Sequence, residues 1–261
     1  PSPSAKQAMY GQISLSNRYN SDLGSSLKEL LAKQNNIATE NILIGAGSTE
    51  MLDLVLRFAA QKKGNIILPE PSYTYWAEAA LFLGLQRISV PLTKEKKISL
   101  SALLKKINPG SRLIYICNPN NPTGTVCENA GLISFIKEAS KKTMVVVDEA
   151  YIDYSGEPSV CDLVKENKNL AVVRTFSKIH GLAGARVGYL MAHTTSIEKI
   201  SRLQSWPNGS TSVASLAGAM ASLKDEVFIP ESRQKNEAAK KLTVTELEKM
   251  GLHPIPSFSN F

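Results

Sequence analysis

Between Asn41 and Arg174, short apolar runs rich in Ile, Val and Leu alternate with longer stretches in which apolar residues recur every three or four positions. The short runs, near 42–45, 65–68, 85–90, 112–117, 143–147 and 170–176, have the length and β-branched content of buried strands. The longer stretches carry helical stripes. Leu132, Phe135, Ile136 and Ala139 form one at i, i+3, i+4 and i+7, and residues so spaced belong to a core and not to a ligand site. Strands and helices in alternation define an α/β fold, so the expectation is a mainly parallel sheet of the seven-stranded type, sandwiched by helices. ARVGYLMA at 185–192 supplies a further strand, whose direction periodicity does not give.

The pattern changes after Trp206-Pro207. NGSTSVASLAGAMASLKDE starts a helix from a Ser/Thr-rich cap, and a second helix is expected at 231–249. After the Pro254–Pro256 turn a new strand is expected to begin in SFSNF, as the start of a small α+β domain that the chain holds only in part, truncated at its C-terminal side. The division expected is 1–23 as an N-terminal segment of the small domain or a dimer arm, 24–206 as the large domain, and 207–261 as a linking helix and the start of the small domain.

Composition narrows the function classes. A chain of 261 residues with 43% hydrophobic content can bury a sizeable core. No stretch approaches the roughly 18 uninterrupted apolar residues of a membrane span, and there is no basic-then-apolar leader pattern, so a cytoplasmic protein without membrane partners is expected. The chain opens at Pro1 without an initiator Met, which leaves room for a removed leader. Cys117, Cys127 and Cys161 are odd in number and lack CxxC spacing, which disfavours a disulfide framework and a metal site and fits free thiols in a reducing compartment. The net charge of +7 is spread over pairs such as Lys62-Lys63, Lys105-Lys106 and Lys141-Lys142 without interleaved aromatics, so nucleic acid is not the expected partner. A positive field favours anionic substrates and a phosphorylated cofactor.

The chemistry sits where three apolar runs end. LIYICNPNNPTG delivers Asn121, MVVVDEAY delivers Asp148 and Tyr151, and LAVVRTFSK delivers Ser177 and Lys178. In open α/β sheets ligands bind outside the carboxyl ends of the strands, so the topology predicts that these residues converge. A strand-end Asp alone is usually a cap or turn residue. A lysine near a carboxylate, with an amide and a phenol alongside, is what an enzyme needs to hold an aldehyde cofactor and use its ring as an electron sink, which points to pyridoxal 5′-phosphate.

These motifs resemble those of the fold-type-I, class I/II pyridoxal-phosphate-dependent aminotransferases, and within them the histidinol-phosphate aminotransferases. The resemblance is carried by NRY at 17–19, NILIGAGSTE at 41–50, PEPSYTYW at 69–76, CNPNNPTGT at 117–125, VVVDEAYIDYSG at 145–156 and RTFSKIHGLAGARVGY at 174–189. It implies that Lys178 bonds the cofactor and moves the substrate proton, that Asp148 pairs with the pyridine nitrogen, and that Tyr151 and Asn121 face the ring's phenolate oxygen. It implies further that Tyr73 stacks on the ring, with Tyr75 and Trp76 as neighbouring packing alternatives. The Gly45–Thr49 turn, with Gly47, Ser48 and Thr49, would receive the phosphate at a helix N-terminus, completed by Ser177 and Arg186. Tyr19 would reach the phosphate of a neighbouring subunit, making the active unit a homodimer. His180 stands where relatives often carry an aromatic residue, either altering specificity or lying behind the site. The expected reaction exchanges an amino group between histidinol phosphate and 2-oxoglutarate, as in histidine biosynthesis. Other amino-acid aminotransferases, a threonine-phosphate decarboxylase-like enzyme and a non-catalytic domain are the alternatives. In the family an arginine that grips the substrate carboxylate lies beyond the segment matching SNF at 259–261.

Overall fold

The computed structural model describes residues 1–19, 21–206 and 211–261. One sheet of seven strands organises the chain: β1 (Ile42–Gly45), β2 (Gly64–Glu70), β3 (Leu85–Pro91), β4 (Ser111–Cys117), β5 (Met144–Asp148), β6 (Leu170–Thr175) and β7 (Gly188–Ala192). Their order is β1-β7-β6-β5-β4-β2-β3. β2 through β6 run parallel, whereas β7 lies antiparallel between β1 and β6, which settles the direction that periodicity left open. β7 also starts later than 185, because Ala183–Ala185 form a 3-10 turn and Arg186 takes a left-handed conformation (φ 53°) that an extended strand excludes.

Strands buried on both faces read as near-continuous apolar runs, and the alternation of their side chains feeds two cores. On one face Ile114, Ile116, Val145, Val147 and Val172 pack under α2 (Ser21–Asn35), α4 (Leu100–Lys106) and α5 (Asn129–Ala139), whose Leu132, Phe135, Ile136 and Ala139 stripe is buried as expected. On the other, Leu113, Tyr115, Cys117, Val146 and Val173 pack under α3 (Ser48–Ala59), the turn at Tyr75–Ala80 and α7 (Thr194–Ser201); the one-turn α6 (Ile152–Ser155) follows β5. Each large aliphatic side chain so buried stabilises the fold by about 1.5–3 kcal/mol.

Beside the site lies a buried ion pair. The Glu149 carboxylate accepts from Arg174 Nε at 2.9 Å, from Ser159 Oγ at 2.7 Å and from the Val160 amide at 2.9 Å, with side-chain exposures of 2% for Glu149 and 12% for Arg174. It ties the 157–161 loop to β6 and, through Arg174 and Asn35, to α2. Removing one partner strands the other charge in the interior, so Glu149→Ala is expected to lower unfolding free energy by about 3–5 kcal/mol in urea titrations. A loss below about 1 kcal/mol would show the pair to be solvated in solution.

The helices beyond 206 form largely as expected. α8 (Val213–Lys224) is capped by Ser212, whose hydroxyl accepts from the Ser215 amide at 3.1 Å. α9 (Phe228–Lys249) begins before 231, because Asp225 accepts from the Val227 and Phe228 amides and Pro230 is tolerated in a first turn. The domain boundary expected at 206/207 falls at 207–210, outside the described residues. The expected strand in SFSNF does not form: 256–261 is irregular, its backbone bond from the Phe258 amide to the Gly124 carbonyl at 2.7 Å not continued into a ladder. α1 (Pro3–Gly11), for which no helix was expected, packs on α8 and is tied to it by Ser4 Oγ donating to Asp225 at 2.7 Å.

Candidate active site

Parallel strands put their carboxyl ends on one edge, and register does the rest. Cys117 pairs with Asp148, and Asp148 with Val173, so the loops leaving β4, β5 and β6 begin side by side. Together with the β1–α3 turn they enclose a cavity of about 250 Å³. Of the candidate site residues named from the sequence, Ser48, Thr49, Tyr73, Asn121, Asp148, Tyr151, Ser177, Lys178 and Arg186 line it, whereas Gly47, Tyr19 and His180 do not. Cys117, Ala150 and Ala183 complete the wall.

Asp148 is 2% exposed. Its Oδ1 accepts from the Ala150 amide at 3.0 Å and its Oδ2 from the Tyr115 hydroxyl at 2.9 Å. Burial pushes its pKa up to about 6, and the two hydrogen bonds and Lys178 act against that rise. A carboxylate kept in such a place is an electrostatic site that a cationic ligand would relieve. Asn121 Nδ2 donates to the Tyr151 hydroxyl at 3.2 Å, and Lys178 Nζ stands 5.0 Å from the centre of the Tyr151 ring, within cation–π range. Amide, phenol and amine thus share one wall.

The opposite end is built for an anion. Gly47 caps α3 at φ 89°, a conformation that a side chain disfavours, and a Cβ there would stand 2.5 Å from Arg186 Nη2. Gly188 is required too, since its Cβ would lie 2.4 Å from the Ser48 amide nitrogen, so β7 holds the turn from below. No side chain caps α3 at Gly47, and Glu50 folds back onto the Ala46 amide at 2.5 Å instead. The first turn of the helix is thereby left facing the cavity through Ser48 and Thr49. The Arg186 guanidinium is steered by the carbonyls of Ala183 (3.0 Å) and Ala46 (3.3 Å) and by Ser177 Oγ (3.4 Å), and it makes no ion pair among the described residues. A guanidinium without a carboxylate, a hydroxyl and a helix N-terminus at one spot form a phosphate cup. These donors, with a buried carboxylate and an amine on the other walls, fit pyridoxal phosphate.

Two residues stand elsewhere. Tyr19 is 90% exposed, outside the cavity, with its ring 5.4 Å from that of Trp206. His180 is buried with its ring 4.7 Å from Phe176 and Nδ1 2.7 Å from Ser222 Oγ, and burial lowers its pKa; it does not line the cavity, so of its two readings the geometry fits the one behind the site. Tyr115 and Cys117 were overlooked because they read as strand interior. The available signal was the period of two: Leu113, Tyr115 and Cys117 share a face, and in register with β5 that face meets Asp148.

Residues 3–261 match the profile of the family described as aminotransferase class I and II, and the chain belongs to that family. The cofactor is accordingly pyridoxal 5′-phosphate. The histidinol-phosphate aminotransferase of Moorella thermoacetica is 36% identical over 265 residues, an alignment covering 100% of this chain and 68% of that protein. The solved structure of histidinol-phosphate aminotransferase from Sinorhizobium meliloti, in complex with pyridoxal-5′-phosphate, matches with a TM-score of 0.92 at 25% identity, covering 99% of this chain and 70% of that one. L-threonine-O-3-phosphate decarboxylase from Porphyromonas gingivalis shares the fold alone, with a TM-score of 0.82 at 20% identity over 98% of this chain and 75% of that one.

Proposed function

We propose that this chain transfers an amino group from histidinol phosphate to 2-oxoglutarate, a reading supported by relatives named histidinol-phosphate aminotransferase. The observation that carries the reading is the presence of Lys178, Asp148 and Arg186 on the walls of one cavity. When bound, pyridoxal phosphate supplies a carbonyl that condenses with amines and a cationic ring that withdraws electrons from the substrate carbon. Asp148 would hold the ring nitrogen, Asn121 and Tyr151 the phenolate oxygen, and Tyr73 a ring face. Gly47, Ser48, Thr49, Ser177 and Arg186 would hold the phosphate. Lys178, the amine among these groups, would bond the cofactor at rest and then carry the proton to and from the substrate carbon.

The same reading makes Tyr19 a donor to the neighbouring site of a homodimer, which its exposure beside Trp206 supports. It assigns 24–206 to the cofactor-binding domain and 1–23 and 207–261 to the smaller one, and it places the enzyme in the cytoplasm. No helix among the described residues is long and apolar enough to cross a membrane.

The test is incubation of the full-length protein and cofactor with histidinol phosphate and 2-oxoglutarate. Glutamate formation supports transfer, whereas carbon dioxide release from phosphothreonine without glutamate overturns it in favour of decarboxylation. For the phosphate cup, Arg186→Ala is expected to weaken pyridoxal phosphate binding about 10- to 100-fold, the worth of charge-assisted hydrogen bonds, while leaving the affinity for unphosphorylated pyridoxal unchanged. Equal losses for both ligands in absorbance titrations would remove Arg186 from the cup.

A further inference from the structure

Tyr115 is among the largest fully buried side chains of the protein, set in a strand that is otherwise aliphatic around it. A hydroxyl there is costly unless it is partnered, and packing alone would be served by phenylalanine. Its partner is Asp148, whose Oδ2 accepts the phenolic hydrogen at 2.9 Å. The tyrosine cannot swing away. Its ring lies 5.0 Å from that of Trp76, whose indole N–H is itself fixed by the Tyr73 carbonyl at 3.1 Å. Cys117, which shares the face of the strand, gives its S–H to the Pro119 carbonyl at 3.2 Å. With the Ala150 amide on Oδ1 and Tyr115 on Oδ2, both oxygens of the carboxylate are held, so its plane is set before any ligand arrives.

We propose that Tyr115 is a positioning residue for the cofactor: its hydroxyl holds the Asp148 carboxylate charged and in a fixed plane toward the ring nitrogen of pyridoxal phosphate. This rests on the cavity being the pyridoxal phosphate site. Burial drives Asp148 toward its neutral form and the Tyr115 hydrogen bond opposes that drive, so losing the hydroxyl weakens the acceptor on two counts, charge and orientation. A tyrosine that merely filled the core would affect all ligands of the cavity alike.

The experiment uses Tyr115→Phe, which removes one oxygen, and two probes: pyridoxal phosphate, and its carbocyclic analogue in which CH replaces the ring nitrogen. Both are titrated into the cofactor-free protein, whose thermal melting is recorded as the check on folding. The expected result is about a tenfold or greater loss of affinity for pyridoxal phosphate, the worth of one hydrogen bond to a charged group, and an unchanged affinity for the analogue. In an Asp148→Asn background the same substitution should cost no additional preference between the two probes, because the hydroxyl acts through the carboxylate. That double variant also serves if Tyr115→Phe alone is too unstable, since it leaves no orphaned charge. Equal losses for both probes, no loss for either, or a further loss of preference in the Asp148→Asn background would each overturn the assignment. Failure of the unsubstituted, folded protein to bind pyridoxal phosphate would sink the cofactor reading itself, and this assignment with it.

Discussion

Lys178→Ala is expected to yield a folded protein that binds pyridoxal phosphate without its visible absorbance and turns over at least about 10⁴-fold more slowly. The fold should tolerate the change. Lys178 is half-buried, it makes no ion pair among the described residues, and its nearest aromatic contact, the Tyr151 ring, loses nothing that water cannot replace. What disappears is the amine on the cavity wall, which on the proposed reading would both bond the cofactor's carbonyl and carry the proton. Asp148 should respond as well, since the lysine's charge is one of the influences holding its proton affinity down. Spectra before and after dialysis check the first claim. Retention of the coloured band in the variant would mean that another amine takes the cofactor, and Lys178 would leave the mechanism.

How much of this was legible before folding follows from what each signal encodes. All seven strands announced themselves, the inner ones because strands buried on both faces must be apolar throughout, and the edge strand β3, buried only at Leu85 and Val90, through its β-branched Ile88 and Val90. The convergence of Asn121, Asp148 and Lys178 on one cavity was legible for a related reason: polar residues closing such apolar runs gather at the carboxyl edge of the sheet. The antiparallel insertion of β7 was not legible, because the side-chain period of an extended strand is the same in either direction. Tyr115 was hidden by its own burial. From the sequence it is an aromatic in a strand, and only the register of β4 on β5 shows that its hydroxyl reaches a carboxylate. Glu149 was hidden likewise: beside Asp148 in the chain, it points to the other side and pairs with Arg174, so adjacency in sequence says nothing about shared chemistry. The failed strand at 256–261 has the converse cause, since an extended segment becomes a strand only where a partner edge is free to receive it.

Asp148→Asn should cut turnover about a thousandfold or more and yet make the cofactor-free protein relatively more stable as pH rises. For turnover, a carboxylate that held a protonated ring nitrogen at about 3 Å would attract it by about 5 kcal/mol at an effective dielectric near 20, and a neutral amide would forfeit most of this. Stability runs the other way. In the folded chain Asp148 titrates at about 6, above its ordinary 3.8, because burial penalises the charged form more than Tyr115, the Ala150 amide and Lys178 can offset, with Glu149 adding to the rise. The folded state therefore binds this proton more tightly than the unfolded state, and stability falls as pH climbs from about 4 through about 6, with the full cost present above that range. The span corresponds to about 3 kcal/mol. Asparagine carries no charge at any of these pH values, so the stability of the variant minus that of the unsubstituted protein should grow by up to about 3 kcal/mol between pH 4 and pH 8, whatever the constant cost of reorienting one hydrogen bond to Tyr115 or Ala150. Urea unfolding of both cofactor-free proteins across that range measures it, because the other titrating groups are common to both and cancel in the difference. Parallel curves would mean that Asp148 is solvated in solution and cannot be the strained acceptor the site requires. A widening gap would show a carboxylate retained at the expense of stability, which is the mark of a residue kept for what it binds.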